Sequence, residues 1–297
     1  MIGGTVMQTS VSQILSKTGE VVKTRFGGLL GLFGIYVAAQ IVLAIVLSLV
    51  AGASMFGAMA AMGAGGAGAD PAGLGMGLGA GMILMLILLY LVFILIAMAQ
   101  TGSLIAFASP LQRLSLGDAL NAGFRSALPL LGVFVLLMIV YIVCAFIVGL
   151  VLGVIGSIST TLSGLLGILM IPVLIYAACR ICTIYGVVAV DGVRNPVTAI
   201  QRGWAQTASN VLPILGVTVI FLVAAAVVGG LLFMPMFSSI MGASMTGAPP
   251  SFTGMGLSMI GFLIFWVVAT IVSSALYAVI HAEVSDSSAS KATEVFS

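Results

Sequence analysis

Six stretches of this chain are apolar for longer than the core of a soluble domain needs: about 28–50, 82–108, 128–152, 165–190, 211–236 and 258–280. A helix needs roughly 20 apolar residues to cross the hydrocarbon layer of a bilayer. Backbone N–H and C=O groups find no water there, so such runs pair them internally as helices. Of the 297 residues, 62% are hydrophobic and 5% charged, whereas soluble domains carry roughly a quarter charged residues. The chain cannot cover itself with a solvated surface. It reads as an all-α, polytopic membrane protein with six transmembrane helices.

The few cations fall in alternate connections. Lys17, Lys23 and Arg25 precede the first run, and Arg113 and Arg125 lie between the second and third. Arg180, Arg194 and Arg202 lie at or after the end of the fourth, and Lys291 follows the sixth. The other three connections hold Asp70 as their one charged residue. Basic connections resist translocation, so this pattern predicts cytoplasmic termini on both sides of an even number of spans. A net charge of +2 is too small to suggest nucleic acid. A separate signal peptide is not expected, because the first run sits behind a 27-residue polar start. Ala51-Gly52-Ala53 keeps cleavage open as the lesser alternative.

Each basic joint carries an amphipathic pattern. In the first, Val11, Ile14, Leu15, Thr18, Val22 and Phe26 share a helical stripe, opposite Gln13, Lys17, Glu20 and Lys23. In the second, Ser115 and Asp118 resemble a capping box, and Leu116, Leu120, Gly123 and Phe124 face away from Asp118, Asn121 and Arg125. In the third, Asn195 is placed to cap and Pro196 to open a helix, whose apolar side carries Ile200, Gly203, Trp204 and Thr207. Such helices lie in the membrane interface or pack on the inner ends of the spans.

The unit repeats. Ala119-Leu120-x-x-Gly123-Phe124 matches Ala199-Ile200-x-x-Gly203-Trp204 at an offset of 80, and Leu128-Pro129 to Val133 matches Leu212-Pro213 to Val217 at 84. We expect one integral membrane domain over residues 1–297. It comprises three hairpin units (about 10–108, 113–190 and 195–283), each preceded by a short amphipathic interfacial helix, and a disordered tail over 284–297. Gly27-x-x-x-Gly31 with Gly34, Gly149-x-x-x-Gly153, and Gly164-x-x-Gly167 predict close helix contacts. Gln40 is expected to bond across to another helix, and Pro172 to kink the fourth span. The Gly, Ala and Met-rich stretches 51–81 and 236–258 read as outer connections, with a turn at Asp70-Pro71.

Val187-Val-Ala-Val190-Asp191-Gly192, followed by Pro196-Val-Thr-Ala199-Ile200-Gln-Arg202-Gly203-Trp204, resembles the membrane domain of bacterial glycerophosphoryl diester phosphodiesterases. The shared pattern is a hydrophobic run, an acid-Gly pair and Pro-x-x-Ala-Leu-x-x-Ser-Trp. Here Asp191 replaces the usual Glu and Gly203 the usual Ser. The resemblance covers about 30 residues closely and the rest in architecture. It implies a polytopic protein of the bacterial inner membrane. It does not imply hydrolase activity, because the family's catalytic barrel has no long polar segment to occupy here.

Residues that could carry chemistry are few. His281 and Glu283 stand two apart, which on a helix turns them different ways. Neither a metal-ligand cluster nor a nucleotide loop is visible, so we expect no enzyme, cofactor or metal site. Cys179-x-x-Cys182 has redox or metal spacing, but on an apolar helix it reads as packing. Met55, Met59, Met62 and Met76, then Met234, Met236, Met241, Met245, Met255 and Met259, have the softness for Cu(I), or serve as adaptable packing. Arg180 lies about 16 Å along the helix from Asp191, inside the span. It either bonds helix-end carbonyls or Asp191, or meets an anionic lipid or substrate together with Arg125 and Arg202. Two functions follow: a non-enzymatic scaffold or assembly partner for other membrane proteins, or a transporter or lipid-handling protein with an anionic site near Arg180. Membrane lipids are the expected partners under either.

Overall fold

The structure is a computed structural model that describes the backbone of residues 10–64, 71–246 and 252–296. The described residues form helices α1 (Val11–Ala64), α2 (Pro71–Ala108), α3 (Leu116–Ile158), α4 (Thr160–Ile181), α5 (Ile184–Ala189), α6 (Pro196–Thr207), α7 (Val211–Thr246) and α8 (Phe252–Phe296). Six helical segments are long and apolar enough to cross a membrane, in α1, α2, α3, α4–α5, α7 and α8. The all-α, six-span class read from the apolar runs is the class observed.

Several boundaries differ from the sequence reading. The first two amphipathic segments are not separate helices: each continues into its span as the start of α1 or α3. No capping residue breaks α1 after Phe26, and α3 runs through Pro129, which removes one backbone donor without ending the helix. Only α6 stands alone. Asn195 closes its start with extended backbone, its Oδ1 accepting from the amides of Val197 at 3.0 Å and Thr198 at 3.4 Å. The fourth span divides at Cys182-Thr183 into α4 and α5, and Pro172 lies within α4 without interrupting it. Most of the stretches read as outer connections are helical, as extensions of α1, α2, α7 and α8. The tail read as disordered continues α8 to Phe296.

Packing is concentrated at one end. Ile14, Leu29, Leu32, Leu104, Ile105, Ile214, Ile271, Ala275 and Ile280 form the main core, where α1, α2, α7 and α8 meet. Leu130, Val133, Ile184, Val187 and Ala199 form a second beside α3, α5 and α6. Lipid tails are as apolar as leucine, so close fit rather than exclusion from water holds such helices together. Small residues supply that fit. A methyl group on Gly102 would strike Ser126, and one on Gly123 would strike Ser103 and the Ala99 carbonyl. Polar bonds follow the same seam: the Tyr36 and Ser103 hydroxyls are 2.7 Å apart, and Gln40 Nε2 donates to Gln100 Oε1 at 3.1 Å. The bond across from Gln40 is therefore present.

Away from this end the spans are apolar and open. Ile139, Tyr141, Ile142, Phe146, Val151 and Val154 of α3, and Leu165, Ile168, Leu169 and Val173 of α4, are exposed. Gly27, Gly31, Gly34, Gly149, Gly153, Gly164 and Gly167 have nothing within 4 Å of where a Cβ would stand. The expected close contacts at these glycines are not made within the chain. The α3–α4 turn is nonetheless tight: Ser159 caps α4, and the Ser163 hydroxyl donates to the Leu152 carbonyl at 3.0 Å.

Candidate functional site

The packed end is also the charged end, and its joints are tied together residue by residue. Arg25 on α1 donates to the carbonyls of Phe107, Ser109 (3.1 Å) and Gln112 (3.3 Å) where α2 ends. Gln112 Nε2 in turn donates to the Val190 carbonyl at 3.0 Å. Lys17 pairs with Glu283 near the end of the span in α8. At the start of α3, the Ser115 hydroxyl accepts from the Asp118 amide and donates to its carboxylate at 2.6 Å.

The motif after α5 is built around one turn. Gly192 holds φ at +70°, the left-handed region that glycine enters without a Cβ clash. This turn follows Asp191, whose Oδ2 lies 3.2 Å from Arg202 and whose Oδ1 lies 3.4 Å from His281 Nε2. Burial alone would raise the Asp191 pKa, but the His281 hydrogen bond and charge, with Arg202, hold it below its ordinary value of 3.8. His281 is fully enclosed against Gly186, where a methyl group would overlap its ring. Its Nδ1 has no hydrogen-bond partner. His281 and Glu283 thus turn to different partners, Asp191 and Lys17.

The α6 helix is pressed onto α4 and α5. A Cβ on Gly203 would stand 2.7 Å from Ile184 Cγ1. The Thr183 hydroxyl donates to the Gly203 carbonyl at 3.1 Å, and the Thr207 hydroxyl lies 3.3 Å from the Arg180 carbonyl. Pro196 opens α6 against Gly132 of α3, and Ala199 is completely buried. Trp204 turns outward, 44% exposed, with the Arg180 guanidinium carbon 4.4 Å above its ring.

The three arginines grouped from sequence have three different surroundings. Arg202 faces Asp191, and Arg180 stacks on Trp204. Arg125 lines a cleft of about 370 Å³ with Asp118, Asn121 and Arg194. A second cleft, about 700 Å³, lies between Lys17, Glu20, Arg25, Arg113 and Glu283. Both belong to the charged end. Farther along the spans, a third cleft of about 560 Å³ is lined by Leu43, Leu47, Leu86, Ile87, Tyr90 and Phe93, and its wall is almost wholly apolar. Sequence reasoning did not find Arg25, Gln112, Thr183 or Thr207 as ties, nor the pairing of His281 with Asp191. That pair is separated by 90 positions and no local pattern marks it.

Cys179 and Cys182 are buried and free, with Cys182 Sγ 3.0 Å from the Cys179 carbonyl, while Cys144 is exposed on α3. Among the described residues no three His, Cys, Asp or Glu side chains converge. Met234, Met241, Met245, Met255 and Met259 are exposed. The side chains of Met55, Met59, Met62 and Met76, and of Asp70, lie outside the described residues. No family model matches the chain, nor does a curated protein or a solved structure.

Proposed function

We propose that this chain is a non-enzymatic scaffold or assembly partner of the bacterial inner membrane, with both termini and the arginine-rich joints in the cytoplasm. The observation that carries the reading is the contrast between the two halves of the bundle. The charged half is close-packed. The outer half of α3–α4 presents exposed apolar side chains, and its Gly149, Gly153, Gly164 and Gly167 meet no neighbour. Glycine faces let a second helix approach to backbone contact, so a helix from another membrane protein fits there. The mid-span cleft between α1 and α2 is apolar, which supports a scaffold over a water-lined transport path. Kinship with the glycerophosphoryl diester phosphodiesterase membrane domain is part of the proposal. The residues that carry it (Asp191, Gly192, Pro196, Ala199 and Trp204) hold the α5–α6 joint together.

Cys144 offers the test, since it is free and exposed on α3. Thiol oxidation in intact membranes should yield a covalent adduct that Cys144→Ser removes. Absence of an adduct, with a purified chain that is monomeric and free of co-purifying protein by native mass spectrometry, would falsify the scaffold reading.

A second reading is favoured by one residue. Arg180 is buried and its Nε has no hydrogen-bond partner among the described residues, which suits a lipid-handling protein with an anionic site at this depth.

A further inference from the structure

Among the described residues Arg180 is the only buried Lys or Arg, 6% exposed. A guanidinium carries five N–H donors in one plane. Here Trp204 covers a face of that plane, which satisfies charge but no donor. Nε is enclosed without a hydrogen-bond partner. The carboxylate that follows α5, Asp191, is occupied by Arg202 and His281. An arginine so placed within an apolar span is suited to an acceptor from outside the chain, reached through its terminal nitrogens.

The surroundings identify that acceptor. Val197 and Trp204 on α6 and Leu212 at the start of α7 are exposed apolar side chains, and Arg202 on α6 is exposed as well. Large apolar groups and cations at one level mark the headgroup boundary, where tryptophan prefers to sit. The acceptors at that level are phosphate oxygens, which match the planar fork of arginine. The described side chains at this end comprise eight Lys and Arg against four acids, Glu20, Asp118, Asp191 and Glu283. This excess favours lipids with net negative charge.

We infer that Arg180, laid over Trp204, binds the phosphate of an anionic phospholipid headgroup. The inference rests on the lipid-handling reading for its depth in the membrane and gives that reading a defined site. Arg202 is outside the site because Asp191 holds it, and Arg125 is outside because it lines a different cleft.

The test is native mass spectrometry of the full chain in detergent, titrated with phosphatidylglycerol and, separately, with phosphatidylcholine. Wild-type protein should retain phosphatidylglycerol in preference, and Arg180→Gln should weaken it by about tenfold or more. Trp204→Leu should weaken it in the same direction, whereas Arg202→Gln should change it less than about twofold. Retention at wild-type level in both Arg180→Gln and Trp204→Leu overturns the site. So does full displacement of the lipid by millimolar inorganic phosphate, which would mark a small-anion site. Where Arg180→Gln does not fold, Trp204→Leu alone decides. Lipid movement between leaflets of proteoliposomes separates the two claims. Arg180-dependent binding without movement leaves the site standing and removes the handling reading. Movement with no Arg180-dependent binding removes the site alone.

Discussion

At the residue scale, the packed end depends on contacts too close to admit even a methyl group. Gly186 lies against the enclosed His281 ring, and Gly123 against the Ala99 carbonyl. We expect Gly186→Ala and Gly123→Ala each to destabilise the protein by about 1–3 kcal/mol through overpacking, measured as a lower midpoint of thermal unfolding in detergent. Gly153→Ala has open space and should shift the midpoint by less than about 0.5 kcal/mol equivalent. Asp191 carries a dependence on pH. Its folded pKa lies below the ordinary 3.8, so its contribution to stability is complete above that value and is lost as pH falls through the folded one. Unfolding midpoints followed down from pH 6 should therefore drop on acidification, and the drop should be smaller in Asp191→Asn. An equal drop in both proteins would place the acid sensitivity elsewhere.

At the scale of elements, cap chemistry and propensity explain what ends and what continues. Asn195, Pro196 and the left-handed Gly192 mark the start of α6 in the sequence, and the helix begins there. The joints before the first and third spans lack an equivalent break, and α1 and α3 pass through them as single helices. The surface ion pair of Lys17 with Glu283 joins α1 to α8 with one partner half exposed. Such pairs contribute about 0–1 kcal/mol, so Lys17→Ala should leave the unfolding midpoint nearly unchanged. Arg25 is different, because its guanidinium satisfies three carbonyls at the end of α2. Arg25→Ala should cost about 1.5–3 kcal/mol, since hydrogen bonds to a charged group are lost. Comparing the two variants by thermal unfolding checks this ranking, and a larger loss in Lys17→Ala would reverse it.

At the scale of the whole molecule, six apolar segments are long enough to cross a membrane and the described cations collect at one end. Reporter fusions after Gly156 and after Ser297 should lie on opposite sides of the membrane, with the latter cytoplasmic. A periplasmic reporter after Ser297 would contradict the cytoplasmic assignment. The close-packed charged half and the open outer half also predict uneven protection. Hydrogen exchange in detergent should be slowest in Leu29–Tyr36, Leu104–Ala108 and Ile271–Ile280, where the main core lies. It should be faster toward Ile158, at the tip of the α3–α4 limb. Uniform protection along α3 would mean that the limb is held by contacts the isolated chain does not make.

The six long apolar helices, the helical class and the placement of cations in alternate joints were all legible along the chain. They depend on run length, backbone pairing and charge, which are local properties. The joint around Asn195 was legible for the same reason. Which small residues meet a neighbour was not legible: Gly102, Gly123 and Gly186 are close-packed, whereas Gly149, Gly153 and Gly164, whose spacing predicted close contact, face open space. Nor could spacing reveal that Asp191 takes Arg202 and His281 and leaves Arg180 to Trp204. Pairings between distant segments arise from how the helices dock, and a helix alone does not specify which neighbour its polar groups will meet.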